Sequence, residues 1–130
     1  MPTEQYHEPP GELSAETRTY ARIITSLQEE AEAIGWYQQR LAVEPDAEAR
    51  AIMADAQGEE FKHFSMDLEF LLRRTPLWRE VAEGILFQPG DIVEHAEEAE
   101  EEVLDPGSDQ ATLGDPSGSL GIGSLRGTGL

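Results

Sequence analysis

Leu41-Ala42-Val43-Glu44-Pro45-Asp46 is the stretch on which the fold turns. On either side of it apolar residues return every three or four positions over long segments, the period of a helix with one buried face. Upstream, Ser14 is a good N-cap and Glu16 sits in the first turn, where the helix dipole favours an acid. The spacing therefore predicts a first helix from Ser14 to about Arg40, with Gly35 its one interior glycine. Downstream, Asp46 caps a second helix that starts at Pro45-Asp46 and runs to Arg74, where Thr75-Pro76 stops it. Roughly residues 41 to 45 remain between the two, too few for anything but an antiparallel return.

Beyond the hairpin the chain predicts two short helices and no strand. Pro76 opens one that carries Leu77, Trp78, Val81, Ile85 and Leu86 to about Phe87 before Gln88-Pro89-Gly90 ends it. Asp91-Ile92-Val93-Glu94 has the form of a capping box and opens an acidic helix to about Leu104. The expected fold class is all-α: an antiparallel two-helix hairpin plus short C-terminal helices. A lone hairpin has no second layer to cover its apolar faces, so a homo-oligomer is expected on packing grounds alone.

The chain has 130 residues, 27 acids, 9 bases and a formal charge of −18, with no cysteine. A phosphate backbone or an anionic membrane surface would be repelled, so cations are the natural counter-species. Without cysteine there is no disulfide, thiolate metal site or thiol nucleophile. The N-terminal residues show no basic or apolar signal region and no apolar run approaches a membrane span, which predicts a cytoplasmic protein with no membrane partner. Residues 1 to 89 hold 17 acids and 8 bases, residues 90 to 104 hold 7 acids and no base, and residues 105 to 130 hold 3 acids and Arg126. The expected organisation is a helical domain over 1–104, a linker over 105–117 rich in Pro, Gly and Ser, and a terminal segment over 118–130.

Some residues break the apolar stripes. On the first helix Ile23, Leu27, Ile34, Tyr37 and Leu41 share a face, and Glu30 falls in its middle. On the second, Ala49, Met53, Ala56, Phe64 and Leu71 define the face that also carries Glu60, His63 and Asp67. Ionisable groups on a core-facing stripe are costly to desolvate, and a bound cation resolves that cost. Glu60-Phe61-Lys62-His63 is Glu-x-x-His, whose first and last side chains project side by side from a helix. Oxygen ligands with one imidazole and no sulfur suit Fe(II), Mn(II) or Zn(II) better than Cu(I). Carboxylate-bridged di-iron bundles draw a Glu from each of two helices and a Glu-x-x-His from each of two others. This chain has one of each, so two copies about a twofold axis would supply two sets of Glu30, Glu60 and His63 at their interface. A hydrogen-bonded polar cluster without metal remains the alternative. Tyr37, two turns past Glu30, is placed to cap the site; Asp67, one turn past His63, is open as a ligand, an orienting partner or a solvated acid. Glu29 and Glu32 point to other faces, as surface acids or as attractors of cations. His7, in a second Glu-x-x-His beside Glu8-Pro9-Pro10, lies outside any helical pattern, and His95 is expected to be exposed among Glu94, Glu97 and Glu98.

Glu29-Glu30-Ala31-Glu32-Ala33-Ile34-Gly35-Trp36-Tyr37, together with Glu59-Glu60-Phe61-Lys62-His63 and Met66 to Arg74, resembles the paired helices of the encapsulated ferritins over roughly residues 5 to 95. Independently, Gly118-Ser119-Leu120-Gly121-Ile122-Gly123-Ser124-Leu125-Arg126 is similar to the targeting peptides that dock cargo inside encapsulin shells. The resemblance implies a half-ferritin that dimerises into a ferritin-like four-helix bundle, with dimers in a ring-shaped decamer inside an encapsulin nanocompartment. It implies Glu30, Glu60 and His63 as iron ligands of a di-iron centre between two chains, with Tyr37 and Trp36 beside them. Glu29 and Glu32 would form an outer metal site, open to Ca or Zn as well. The family often carries a larger residue in place of Gly35 and usually a neutral one in place of Asp67.

The expected activity is that of a ferroxidase. Fe(II) would be oxidised at the paired sites by dioxygen or a peroxide, and Fe(III) passed to a store held by the shell. No hydroxyl has a basic partner at catalytic spacing, so nucleophilic catalysis is not expected. The rival expectation is a non-enzymatic helical cargo or adaptor whose acids hold a redox-inert ion and set the oligomer.

Overall fold

The computed structural model describes residues 4–105, which are helical with no strand among them. The targeting segment 118–130 and all of the linker but Asp105 lie outside the described residues. Helix α1 spans Ala15–Val43, α2 Ala47–Arg74, α3 Pro76–Ile85 and α4 Ile92–Ala99. A 3-10 turn, Pro10–Glu12, precedes α1, and a π-helical turn, Glu100–Leu104, continues α4. Packing divides these elements after Arg74 into two compact units.

The caps form where the residue types predict them. Ser14 Oγ accepts the Thr17 N–H at 3.0 Å, and the Arg18 guanidinium donates to the carbonyls of Pro10 and Leu13 at 2.8 and 3.0 Å, which fastens the 3-10 turn to α1. Helix α1 runs three residues past the expected Arg40, because Leu41, Ala42 and Val43 are sound helix positions and Pro45 is the first residue to disfavour the helical backbone before it. The turn is thus only Glu44-Pro45-Asp46. Arg50 closes it from α2 by donating to the Leu41 and Glu44 carbonyls, and Asp46 Oδ1 accepts the Ala49 N–H at 2.8 Å. Arg73 and Arg74 in the last turn of α2 complement its dipole.

The two long helices pack antiparallel along a thin seam. Leu71 is fully enclosed, Gln57 is the one buried polar residue, and the rest of both stripes is only half-covered. Trp36, Ile52, Phe61 and Met66 are exposed.

Helices α3 and α4 pack on each other through small residues: Ala82 and Ala99 are buried, and a Cβ on Gly84 would stand 2.9 Å from the Ala99 Cβ. The helix expected to reach Phe87 ends at Ile85. Leu86 caps it in an extended conformation, and Phe87 adopts φ +62 with its side chain wholly exposed. Asp91 caps α4 through the Glu94 N–H at 2.9 Å, as the motif predicts. His95 departs from expectation: it is half-buried, with Nε2 donating to the Pro89 carbonyl at 2.7 Å and Nδ1 lying 3.4 Å from Glu98. The carbonyls left free by the turn at Gly90 give that ring a partner which charge alone could not predict.

Candidate metal centre

The centre is built in the seam of the hairpin, about halfway along both helices. Glu30 projects from α1, and Glu60 and His63 from one face of α2, one turn apart. One ligand atom from each of the three lies within 4.8 Å of the others. Side chains sharing an ion at about 2.0–2.2 Å place their donor atoms roughly 3–4.4 Å apart. A small side-chain adjustment therefore brings the set to a common ion. Among the described residues this is the one group of three or more acids and imidazoles so gathered. His63 Nδ1 lies 3.2 Å from Glu60 Oε1, so the pair is already aligned side by side. Both remain half-exposed, at 42% and 26% of their side-chain surface.

The position of α1 relative to α2 depends on a residue that periodicity did not mark. Gln57 Nε2 donates to the Ile34 carbonyl at 3.2 Å and to Gln38 Oε1 at 3.0 Å, one turn from Glu60 on α2 and one turn from Glu30 on α1. A directional double donor fixes the axial register of the helices more sharply than alanine contacts can. Its only signal in the sequence is a polar residue inside the stripe of Ala49, Met53, Ala56 and Phe64.

Electrostatically the site is starved of positive partners. Glu30 Oε1 and Asp67 Oδ2 are enclosed with no hydrogen-bond donor in reach. The Glu30 carboxyl is pushed up to about 7, first by burial, then by Asp67 as a hydrogen-bonding neighbour and as a charge, and then by the charges of Glu60 and Glu29. The two carboxylates are close enough to hydrogen-bond, yet when ionised neither has a hydrogen to give. A proton shared between them or a cation satisfies both. The donor chemistry fits a hard or borderline divalent ion: two carboxylates and an imidazole from the group, with an enclosed, unpartnered oxygen on Glu30.

Over residues 5–89 the sequence matches the family model described as EncFtn-like. The chain belongs to the EncFtn-like family. It is 43% identical to an encapsulated ferritin-like protein of Rhodospirillum rubrum over 124 residues, which cover 93% of this chain and 87% of the relative. To a ferritin-like protein of Thermotoga maritima it is 41% identical over 95 residues, covering 73% of this chain and 83% of the other. Among solved structures, that of a protein from Nitrosomonas europaea superposes with a TM-score of 0.66 at 40% identity, over 68% of this chain and 98% of the other.

In this EncFtn-like chain the remaining candidates, Asp67 excepted, stand apart from the three-residue group. Glu29 and Glu32 are exposed on other faces of α1, and Glu29 acts on the centre through its charge. The Tyr37 ring is half-buried beneath the Arg40 guanidinium, 5.0 Å from its centroid. Trp36 is 48% exposed. Asp67 is half-buried, a turn beyond His63 on the same face. His7 is fully exposed and lies 3.3 Å from Glu8. No helix among the described residues is long and apolar enough to cross a membrane.

Proposed function

We propose that the protein is a ferroxidase whose working centre is completed between two chains, each giving Glu30, Glu60 and His63. The observation that carries this reading is the convergence of those three side chains around an enclosed carboxylate oxygen with no donor. Membership of the EncFtn-like family and the encapsulated ferritin-like relative support iron as the substrate. Two Fe(II) ions bound at paired centres would each give one electron to the same dioxygen molecule. With two protons taken up, the products are two Fe(III) and hydrogen peroxide. Glu30 and Glu60 would hold the ions and stabilise the harder ferric state, with His63 as the neutral donor in each chain.

Pairing across a dimer is supported by the half-exposed triad and by the thin seam, which leave the faces of α1 and α2 for a second copy to cover. That arrangement makes a ferritin-like four-helix bundle, which in a ring-shaped decamer has no cage of its own. In this proposal Tyr37 orders the margin of the centre, and Glu29 and Glu32 draw cations towards it from solvent. Residues 105–117 serve as a tether, and Leu120, Ile122 and Leu125 as apolar anchors for an encapsulin shell, which would hold the oxidised iron.

Anaerobic titration with Fe(II), followed by air and by native mass measurement, tests the proposal. Saturation near one iron per chain, metal-promoted pairing of chains and rapid growth of ferric absorbance are expected. Tight binding without accelerated oxidation would instead identify an adaptor that holds a redox-inert ion.

A further inference from the structure

We infer that Asp67 is a further metal-binding side chain of the same centre, so that each chain offers three carboxylates and one imidazole to a hard cation. The inference rests on reading Glu30, Glu60 and His63 as a metal centre, and it adds a donor that the three-residue group lacks. Glu60, His63 and Asp67 occupy successive turns of α2, at intervals of three and four residues, so all three side chains issue from one face. That face carries Asp67 towards Glu30 on α1.

Among the described residues only three enclosed side-chain polar atoms lack a hydrogen-bond partner: Glu30 Oε1, Asp67 Oδ2 and Thr75 Oγ1. Two of the three belong to this one pair of facing carboxylates. Neither residue takes part in any of the ion pairs, although Lys62, Arg73 and Arg79 each find an acid of their own on a neighbouring turn. An enclosed carboxylate oxygen without a donor is strongly disfavoured, and two such oxygens on neighbouring carboxylates more so. No N–H or hydroxyl group relieves them; a shared proton satisfies the pair while one acid stays protonated, whereas one cation between the helices relieves both in the ionised form. The group is not merely acidic, since His63 contributes an imidazole at the same place. With Asp67 bound, the side-chain charge around the ion goes from two negatives per chain to three. Such a set favours oxygen-loving and higher-charged ions over softer ones.

The test uses the full chain and Mn(II) as probe, with free aquo-Mn(II) followed by electron paramagnetic resonance above pH 7 and the thermal midpoint measured without metal. Asp67→Asn removes the charge at nearly constant shape, and Asp67→Leu fills the stripe with an apolar side chain should the amide disturb packing. Both variants are expected to weaken Mn(II) binding at least tenfold, as loss of a ligand or its immediate support commonly does. Their metal-free midpoints are expected to stay level or rise, because an unpartnered buried acid has gone. A merely structural Asp67 would behave the other way, with a lower metal-free midpoint and Mn(II) affinity within twofold of wild type, and that result overturns the inference. If Glu60→Gln and His63→Ala weaken binding while both Asp67 variants do not, the centre stands and only the role of Asp67 falls. If none of the four substitutions changes Mn(II) binding, the metal centre itself falls with it.

Discussion

In the hairpin, acids lie in the seam: Glu30, Glu60 and Asp67 share the faces through which α1 and α2 meet. In the α3 and α4 pair, acids lie outside, with Glu94, Glu97 and Glu98 exposed, while Gly84 meets Ala99 and Ala82 is buried. The first arrangement gives up apolar burial to gather charge, and only Leu71 and Gln57 are buried in it. The second brings backbones close through small residues, half-buries Leu77, Trp78, Val81 and Ile85, and leaves Phe87, Ile92 and Val93 on the surface. The hairpin is thus organised around a site and the short pair around a contact. Substitutions should therefore separate the two: changes in the hairpin seam move metal chemistry, and changes in the short pair move stability.

The largest expected effect is on chemistry. His63→Ala or Glu60→Ala should lower the initial rate of Fe(II) oxidation more than about 100-fold, through loss of an ion-binding side chain. The metal-free helical content, read by circular dichroism, should be unchanged, because both side chains are half-exposed. Collapse of the fold in these variants would blur the comparison.

Next is the contact between α3 and α4. Gly84→Ala places a methyl group 2.9 Å from the Ala99 Cβ, closer than two such carbons approach without a shift. A destabilisation of about 1–3 kcal/mol is expected, seen as faster hydrogen exchange over residues 75–105, with Fe(II) oxidation unaltered.

An intermediate and more gradual effect is expected with pH. Folding raises the Glu30 carboxyl from 4.5 to about 7, so between those values the native state keeps a proton that the unfolded chain has released. Unfolding then releases a proton. The stability contributed by this group is present below about 4.5 and is lost as pH rises through about 7. Denaturant melts of the metal-free protein should show that decline, and Glu30→Gln should flatten it. Added Mn(II) should oppose the decline, because the ion binds the ionised form.

The smallest effect is expected at Gly35. Helix α1 continues straight through it, and a Cβ there would meet no atom within 4 Å. Gly35→Ala should raise stability by up to about 1 kcal/mol through helix propensity alone, which a shift in the thermal midpoint would read. A loss instead would mean that another chain approaches this face closely.

The legible parts of the molecule were those governed by neighbours in sequence. Ser14, Asp46 and Asp91 announce their caps because a short polar side chain beside a helical pattern has a single local use, and all three form the expected bonds to the backbone. Glu30, Glu60 and His63 were legible because each interrupts an apolar stripe, which a helix of known period exposes at once. Helix ends were less so. The α1 terminus moved three residues and α3 stopped two residues early, since a final turn is decided by whichever cap competes best. His95 reads as exposed from its acidic neighbours but is half-buried, because its partner is a backbone carbonyl in a loop.

That this chain forms helices, that two long ones fold back on each other, and which acids face inwards all follow from the amino-acid order, because each rests on contacts a few residues apart. Packing adds that Gln57 ties α1 to α2, that Glu30 meets Glu60 and His63, and that two carboxylate oxygens, on Glu30 and Asp67, are enclosed with no N–H or hydroxyl partner. Those facts depend on the register between two helices. A sliding shift of one turn leaves every helical period intact while bringing a different set of side chains together.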